Sequence, residues 1–511
     1  MKEYTSSGGS TLHFGHMKAA ASSEFLSKFE SSIAQIPYST GYSPSLWQKG
    51  TIVMIQKKAK VDLVSKLLTL VLTSADFNHN NKILGRRTLH HAEQHQLLAK
   101  EQYGSRKHKR AIEHALHKRL TYDIMRQTRI NGALCSNDAM SCYDRILHAV
   151  ASLAYQRLGV PLPPIQCMLA SIQNMKHNLR TSYGDSMWCI SSKNTLIPYQ
   201  GILQGNGAAP ATWVVLSTPL LNMLCTAGHG GFFNCPISGK LSHYVAFAYV
   251  DNTDLVEFNL ANPSITIDEV LDNLQEAINR WEGGLKTTGG ALVPSKSWVY
   301  PISIQFDDEG DWSYESLSDI DYTVTVKDHE DNTQEMPLEE AHVAKKTLGV
   351  FLAPDGNNEI SAKELRQKAT EWGDKIRTCH IDKKTAWIAT ESTIMKTLQY
   401  PLPALTLTEQ ECTKIMTPVL HTSLPKNHTC CNLPRAAVYA PKEEGGLGLT
   451  NVYTHQGCSH LATFIEHIDS DDMTGDLLRT STENATIELG VGHSIFTLDY
   501  DLYYPLLQIA G

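Results

Sequence analysis

An apolar run of strand-forming residues, Tyr244-Val245-Ala246-Phe247-Ala248, stops abruptly at Tyr249-Val250-Asp251-Asn252-Thr253-Asp254. A short apolar run closed by Asp and Asn reads as a buried strand entering a tight hairpin, because Asn tolerates the left-handed backbone that a short turn needs. The spacing predicts a strand ending in Asp251, a turn begun by Asn252, and a carboxylate held rigidly at the strand's end. On its own an Asp-Asn turn is an ordinary hairpin tip. A second carboxylate pair lies upstream, Asp138 and Asp144, within Asn137-Asp138-Ala139-Met140-Ser141-Cys142-Tyr143-Asp144-Arg145. Two separated carboxylates suit a site in which metal ions assist phosphoryl transfer.

The chain of 511 residues is 42% hydrophobic and 19% charged, enough for roughly three domain-sized units and a large buried core. The opening Met1-Lys2-Glu3-Tyr4-Thr5-Ser6 has no apolar signal core, and the stretch from Trp213 to Ala227 is interrupted by Ser217, Thr218, Pro219 and Asn222. Secretion and a membrane partner are therefore not expected. Eleven cysteines follow no repeating CxxC pattern, which predicts reduced thiols in an intracellular compartment, cytoplasm or nucleus.

Charge is unevenly spread. Residues 51–130 carry 16 Lys+Arg against 6 Asp+Glu, a local +10 in a chain of net −8 that leaves −18 elsewhere. A basic segment in an acidic protein fits a surface that follows phosphates, although each lysine taken singly also fits a solvated helix face.

Residues 1–50 are rich in Ser and Gly and read as an irregular lead-in. From Arg106, the recurrence of Ile112, Ala115, Leu116, Leu120 and Ile124 predicts an amphipathic helix, with Lys107, Lys109, Arg110, Lys118 and Arg119 around it. Ile146, Leu147, Val150, Ala151 and Ala154 predict a second helix just after Asp144, with Asp138 on the strand before it. Gly201-Ile202-Leu203-Gln204-Gly205-Asn206-Gly207 is a loop opening an apolar helix, and it lacks the P-loop spacing. The acidic stretch Asp307 to Glu340 holds an alternating Tyr322, Val324, Val326 strand in an inserted hairpin. Helices are predicted through Leu365, Ala369, Trp372 and Ile376, over Ala386 to Leu398, and over Gln410 to Leu420, giving a helical domain after an α/β centre.

With the carboxylate segment, the Gln-Gly loop and the Tyr-Val-Asp-Asn hairpin in this order, the chain resembles the reverse transcriptases of non-LTR retrotransposons over nearly its whole length. Asp138 and Asp144 resemble the family's first catalytic motif, with Tyr143 where an aromatic ring screens the incoming sugar. Gln204-Gly205 is similar to the pair that touches template and nucleotide, and Tyr249-Val250-Asp251-Asn252 to the YxDD box. Lys296 falls where the family has a lysine near the triphosphate, and Leu348-Gly349-Val350 resembles the primer-grip turn. The resemblance implies an α/β right-hand polymerase with an α+β palm, fingers and a helical thumb. The segments would be a lead-in over 1–50, basic fingers over 51–130, a palm with fingers and hairpin insertions over 131–360, a thumb over 361–460 and the start of a connection over 461–511.

The implied activity is RNA-directed DNA synthesis on an RNA template from a DNA primer and dNTPs, within a retrotransposon polyprotein. Asp138 and Asp251 would ligate two Mg²⁺ or Mn²⁺ ions, with Asn252 as the third catalytic position. The chain departs from the family twice. Asn252 replaces an aspartate, and a unit charge about 4 Å from its partner is worth roughly 4 kcal/mol at an effective dielectric of 20. Leu68, in Lys66-Leu67-Leu68-Thr69-Leu70, replaces an arginine expected on the triphosphate, leaving Lys57 and Lys66 to share that load. Two other readings fit the same residues: a catalytically decayed nucleic-acid-binding remnant, favoured by Asn252 and Leu68, and an RNA-templated RNA polymerase, disfavoured by the clash of Tyr143 with a ribose 2′-hydroxyl.

Overall fold

Residues 8, 12–57, 63, 64, 67–192, 195, 196, 198–499 and 501–503 are described by a computed structural model. Where an irregular lead-in is expected, two helices form, α1 (Phe14–Ala20) and α2 (Glu24–Thr40). The serines that suggest irregularity are absorbed locally. Ser23 caps α2 by accepting from the Leu26 N–H, while Ser32 and Thr40 donate to carbonyls four residues back, so their hydroxyls do not compete with the helix.

The strands β1 (Lys49–Gln56) and β2 (Leu67–Leu72) come next, then α3 (Ala75–Gln94), α4 (Ala111–Thr128) and β3 (Gly132–Asp138). The short α5 (Cys142–Arg145) follows, with α6 (His148–Arg157), α7 (Leu162–Gln173), β4 (Lys176–Thr181), β5 (Gly184–Ile190) and α8 (Ala209–Thr226). The centre is completed by β6 (Gly231–Asn234), β7 (Leu241–Tyr244), β8 (Ala246–Tyr249), β9 (Asn252–Asn259), α9 (Ile267–Thr287) and β10 (Trp298–Ile302). Three small hairpins close it: β11 (Ile304–Phe306) with β12 (Trp312–Tyr314), β13 (Thr325–Lys327) with β14 (Thr333–Glu335), and β15 (Lys345–Thr347) with β16 (Val350–Leu352). The acidic stretch is thus parts of two hairpins rather than one.

β2-β1-β4-β5 form a four-stranded sheet. The larger sheet runs β10-β3-β9-β6-β7, and β8 pairs antiparallel with the first half of β9. Pro301 lies in β10, an edge strand of this sheet, where a missing N–H is tolerated. Alternation along β3 and β9 sends Ala133, Cys135 and Leu255 to one face, against α8 and α9 with Trp213 and Trp281. Leu134 and Val256 go to the other, against α4 with Ile124 and Met125. These central strands are therefore covered on both sides.

The C-terminal part is helical: α10 (Glu359–Thr378), α11 (Lys383–Ala389), α12 (Met395–Gln399), α13 (Glu409–Lys426), α14 (Arg435–Tyr439), α15 (Val452–His467) and α16 (Met473–Glu488). The stretch read as one helix over Ala386 to Leu398 is broken by a π-helical turn, Thr390–Ile394. α10 packs on α13, and α16 returns to pack on α4. Among the described residues no helix is long and apolar enough to cross a membrane.

Candidate active site

The antiparallel register of β3 and β9 sets Asp138 directly across from Asn252 and Ser136 across from Asp254. Directly opposed residues share a face, so Asn252 stands beside Asp138. The hairpin closes two residues earlier than its sequence suggests. Tyr249 pairs with Asn252, and the two-residue loop is Val250-Asp251. The left-handed position is taken by Val250, with φ of +57°, and not by Asn252. For a β-branched side chain this backbone is an outlier costing about 1–3 kcal/mol. Its neighbours offset that cost: the buried Gln102 carboxamide accepts from the Val250 N–H at 2.9 Å and donates to the Val250 carbonyl at 3.1 Å, and the Trp213 indole N–H donates to the same carbonyl.

Asp251 is half-buried on this loop. Burial raises its carboxyl above the usual range and the Asp138 charge raises it further, while its own N–H, Lys296 and Lys57 oppose the shift. Lys296 ends a 3₁₀ turn, Pro294–Lys296, and places Nζ 2.7 Å from Asp138 Oδ2. That turn is tied to β3, since the Val293 N–H donates to the Asp138 carbonyl at 3.0 Å. Tyr143 is half-buried on α5; burial pushes its hydroxyl up, as do the Cys142 thiol and Asp251. The structure therefore groups Asp138, Asp251, Asn252, Tyr143 and Lys296, with exposed Lys57 at the end of β1 within electrostatic reach of Asp251 and Asp144. Lys66 lies outside the described residues.

The Gly201–Gly207 loop bridges the two sheets. Val71 of β2 donates to the Gln204 carbonyl at 2.9 Å, and Asn78 of α3 binds the Gly205 carbonyl and the Gly207 N–H. Gly205 has φ of +117°, and a Cβ there would sit 2.7 Å from the Val71 carbonyl oxygen, so glycine is required by both conformation and space. Gln204 is half-buried beside Asp144, to which its backbone donates.

Leu348 and Gly349 form the two-residue turn of the β15/β16 hairpin, both with positive φ. Tyr400 donates to the Leu348 carbonyl at 2.9 Å, and burial, then the nearby Tyr249, raise its hydroxyl above the usual range. The turn is thereby brought towards the hairpin that carries Asp251.

The expected basic surface is not what α4 presents. Lys118, Arg119 and Arg126 are buried: Lys118 pairs with Asp254, Arg119 binds Asp123 and the Gly356 carbonyl, and Arg126 pairs with Asp123. A sequence pattern treats charge as solvated, whereas these cations find partners up to 287 residues away, as Arg119 does in Thr406. Gln102 and Lys118, which sequence reading did not place against this hairpin, differ in what the sequence shows of them, and only Lys118 left a trace. Thr121, Tyr122 and Met125 give α4 a second buried stripe beside Ile112, Ala115 and Leu116, more coverage than a solvated helix needs.

Asp138 and Asp251 offer carboxylate oxygens and Asn252 an amide oxygen, the hard donors that Mg²⁺ and Mn²⁺ take. The fit rests on two carboxylates close enough that one raises the other's affinity for a proton, which is the electrostatic setting a cation relieves. Among the described residues no group of three or more His, Cys, Asp or Glu could hold an ion, so remaining ligands would come from water and substrate.

No family model matches the sequence, and no curated protein matches it. Among solved structures, telomerase from Candida albicans in complex with a TWJ fragment of telomeric RNA aligns at 10% identity and a TM-score of 0.40, over 95% of this chain and 68% of that one. Apo telomerase from Candida tropicalis, truncated from its C-terminal domain, aligns at 10% identity and a TM-score of 0.35, over 57% of this chain. The match spans only 56% of that telomerase chain.

Proposed function

We propose that this chain is an RNA-directed DNA polymerase of the retrotransposon type, a nucleotidyltransferase with its centre at Asp138 and Asp251. The supporting observation is the meeting of these two carboxylates, with Asn252, Lys296 and Tyr143, at the open end of β3 and the β8/β9 hairpin. In this reading the larger sheet is the palm, the four-stranded sheet belongs to the fingers, and the helices from α10 onward form the thumb.

Two divalent cations, when bound by Asp138 and Asp251, would activate the primer 3′-hydroxyl and stabilise the charge on the transferred phosphoryl group and the pyrophosphate. The chain's own residues supply orientation. Lys296 has a flexible stem and an exposed ammonium group, and it can exchange its pairing with Asp138 for a triphosphate oxygen. Tyr143 presents an aromatic wall to the sugar, which favours dNTPs over ribonucleotides. The Gln204-Gly205 turn, pinned to β2, offers backbone groups to template and nucleotide. Leu348-Gly349, held by Tyr400, positions the primer end.

The test is extension of a DNA primer on an RNA template with Mg²⁺ or Mn²⁺, with Asp138→Ala as the blank. Extension that vanishes in the blank supports the proposal. A folded chain that binds primer and template but never extends them is the decayed binding remnant, the reading that Asn252 favours. Extension with ribonucleotides in preference to dNTPs points instead to an RNA polymerase.

A further inference from the structure

We propose that Gln102 is a positioning residue for the reaction, acting through the backbone of Val250 to aim Asp251. The inference rests on the polymerase reading for its kinetic consequence but stands on geometry of its own. Segment 101–103 lies against β8: the Tyr103 N–H donates to the Ala248 carbonyl at 2.8 Å, and the Ala248 N–H to the Glu101 carbonyl at 3.1 Å. This fixes Gln102 beside the hairpin tip.

Every polar position of the Gln102 carboxamide is used. Oε1 accepts from the N–H groups of Val250 and Gly104, each at 2.9 Å, while Nε2 donates to the Val250 carbonyl and to Ser217 Oγ of α8 at 3.2 Å. The side chain is fully buried. Gly104 completes the cradle, because a Cβ there would lie 2.2 Å from the Val250 nitrogen.

A residue gripped at both its N–H and its C=O has both flanking peptide planes fixed and little freedom to rotate. Val250 is the residue that needs such a grip, since valine disfavours a positive φ. Release would let φ relax towards the β region and swing Asp251, the next residue, away from Asp138. Gln102 touches no substrate in this scheme. Its effect falls on the geometry of the carboxylate pair, and so on turnover rather than on primer binding.

The test compares wild type with Gln102→Leu, Val250→Gly and the double variant. Glycine adopts positive φ without penalty, so it removes the need for the clamp while leaving the rest of the chain unchanged. We expect Gln102→Leu to speed hydrogen exchange at the Val250 amide and to lower kcat about tenfold, the rate equivalent of a lost hydrogen-bond pair, with KM for primer and template unchanged. Adding Val250→Gly should restore most of kcat. Unchanged exchange, a rise in KM matching the loss in kcat, or no rescue by glycine in a folded double variant would each overturn the inference.

Should the wild-type chain extend no primer, the polymerase reading fails and Mn²⁺ affinity decides the clamp. Weaker Mn²⁺ binding in Gln102→Leu, restored by Val250→Gly, upholds it; equal affinity in all four proteins overturns it.

Discussion

Lys118 on α4 and Asp254 on β9 meet 3.1 Å apart, two residues beyond Asn252, with side chains 1% and 3% exposed. His114 adds a 2.6 Å contact to the same carboxylate, and Lys118 donates to Thr347 Oγ1 at 2.9 Å, next to the Leu348-Gly349 turn. One buried ammonium therefore joins the strand of the hairpin that carries Asp251 to the proposed primer grip. Breaking such a pair leaves an uncompensated buried charge. Lys118→Met should destabilise the chain by about 3–5 kcal/mol, whereas Lys118→Met with Asp254→Leu should recover much of it. Urea unfolding of the three proteins measures this, and a single variant as stable as wild type would remove the pair from the account.

A pH prediction follows from His117, which is fully buried on α4 and held by Thr474 Oγ1 of α16 at 2.8 Å. Burial, and then the neighbouring His114, push its imidazole well below the usual value. The folded state thus keeps His117 neutral while the unfolded chain protonates it near about pH 6.5. The unfolded state binds more protons below that point, so stability is fully present above it and falls as pH drops, by about 1.4 kcal/mol per unit. Unfolding midpoints at pH 7 and pH 5.5 should differ more in wild type than in His117→Asn. Equal differences would mean that His117 is protonated inside the fold.

The strand into the hairpin, the helix after Asp144 and the helices α10 and α13 were legible because each rests on local periodicity. The turn was not, because Asn252 is the residue local preference selects and the fold overrides it. Val250 takes the positive φ where Gln102, 148 residues away, binds both its backbone groups and Trp213 binds its carbonyl. The buried cations of α4 failed for the same reason: Asp254 and the Gly356 carbonyl are invisible from the helix itself. Asp138, Asp251 and Lys296 were singled out from motif order, which needs no knowledge of long-range contacts, and the fold brings them near one another.

The charge around Asp251 gives a third expectation. Burial and Asp138 already raise its carboxyl, while Lys296 works against them. Lys296→Gln removes that opposition, so protonation of Asp251 should begin at a higher pH. In primer extension, the acid limb of the pH–rate profile should shift upward relative to wild type, with binding of primer and template unaffected. A profile that merely scales down, without moving, would place Lys296 on the substrate alone.

Asn252 supplies the last prediction, because register sets it directly across from Asp138. Asn252→Asp returns a carboxylate to the face that Asp138 occupies, adding repulsion in the metal-free protein and attraction once a cation is present. At an effective dielectric of 20, one charge at about 4 Å is worth roughly 4 kcal/mol, which sets an upper bound near a thousandfold on the gain in rate. The variant should lose some stability without metal, bind Mn²⁺ more tightly, and extend primers faster. Should the folded variant bind Mn²⁺ more tightly yet extend no faster, the amide at 252 serves the reaction as it stands, and its neutral oxygen opposite Asp138 is an adapted feature of the site.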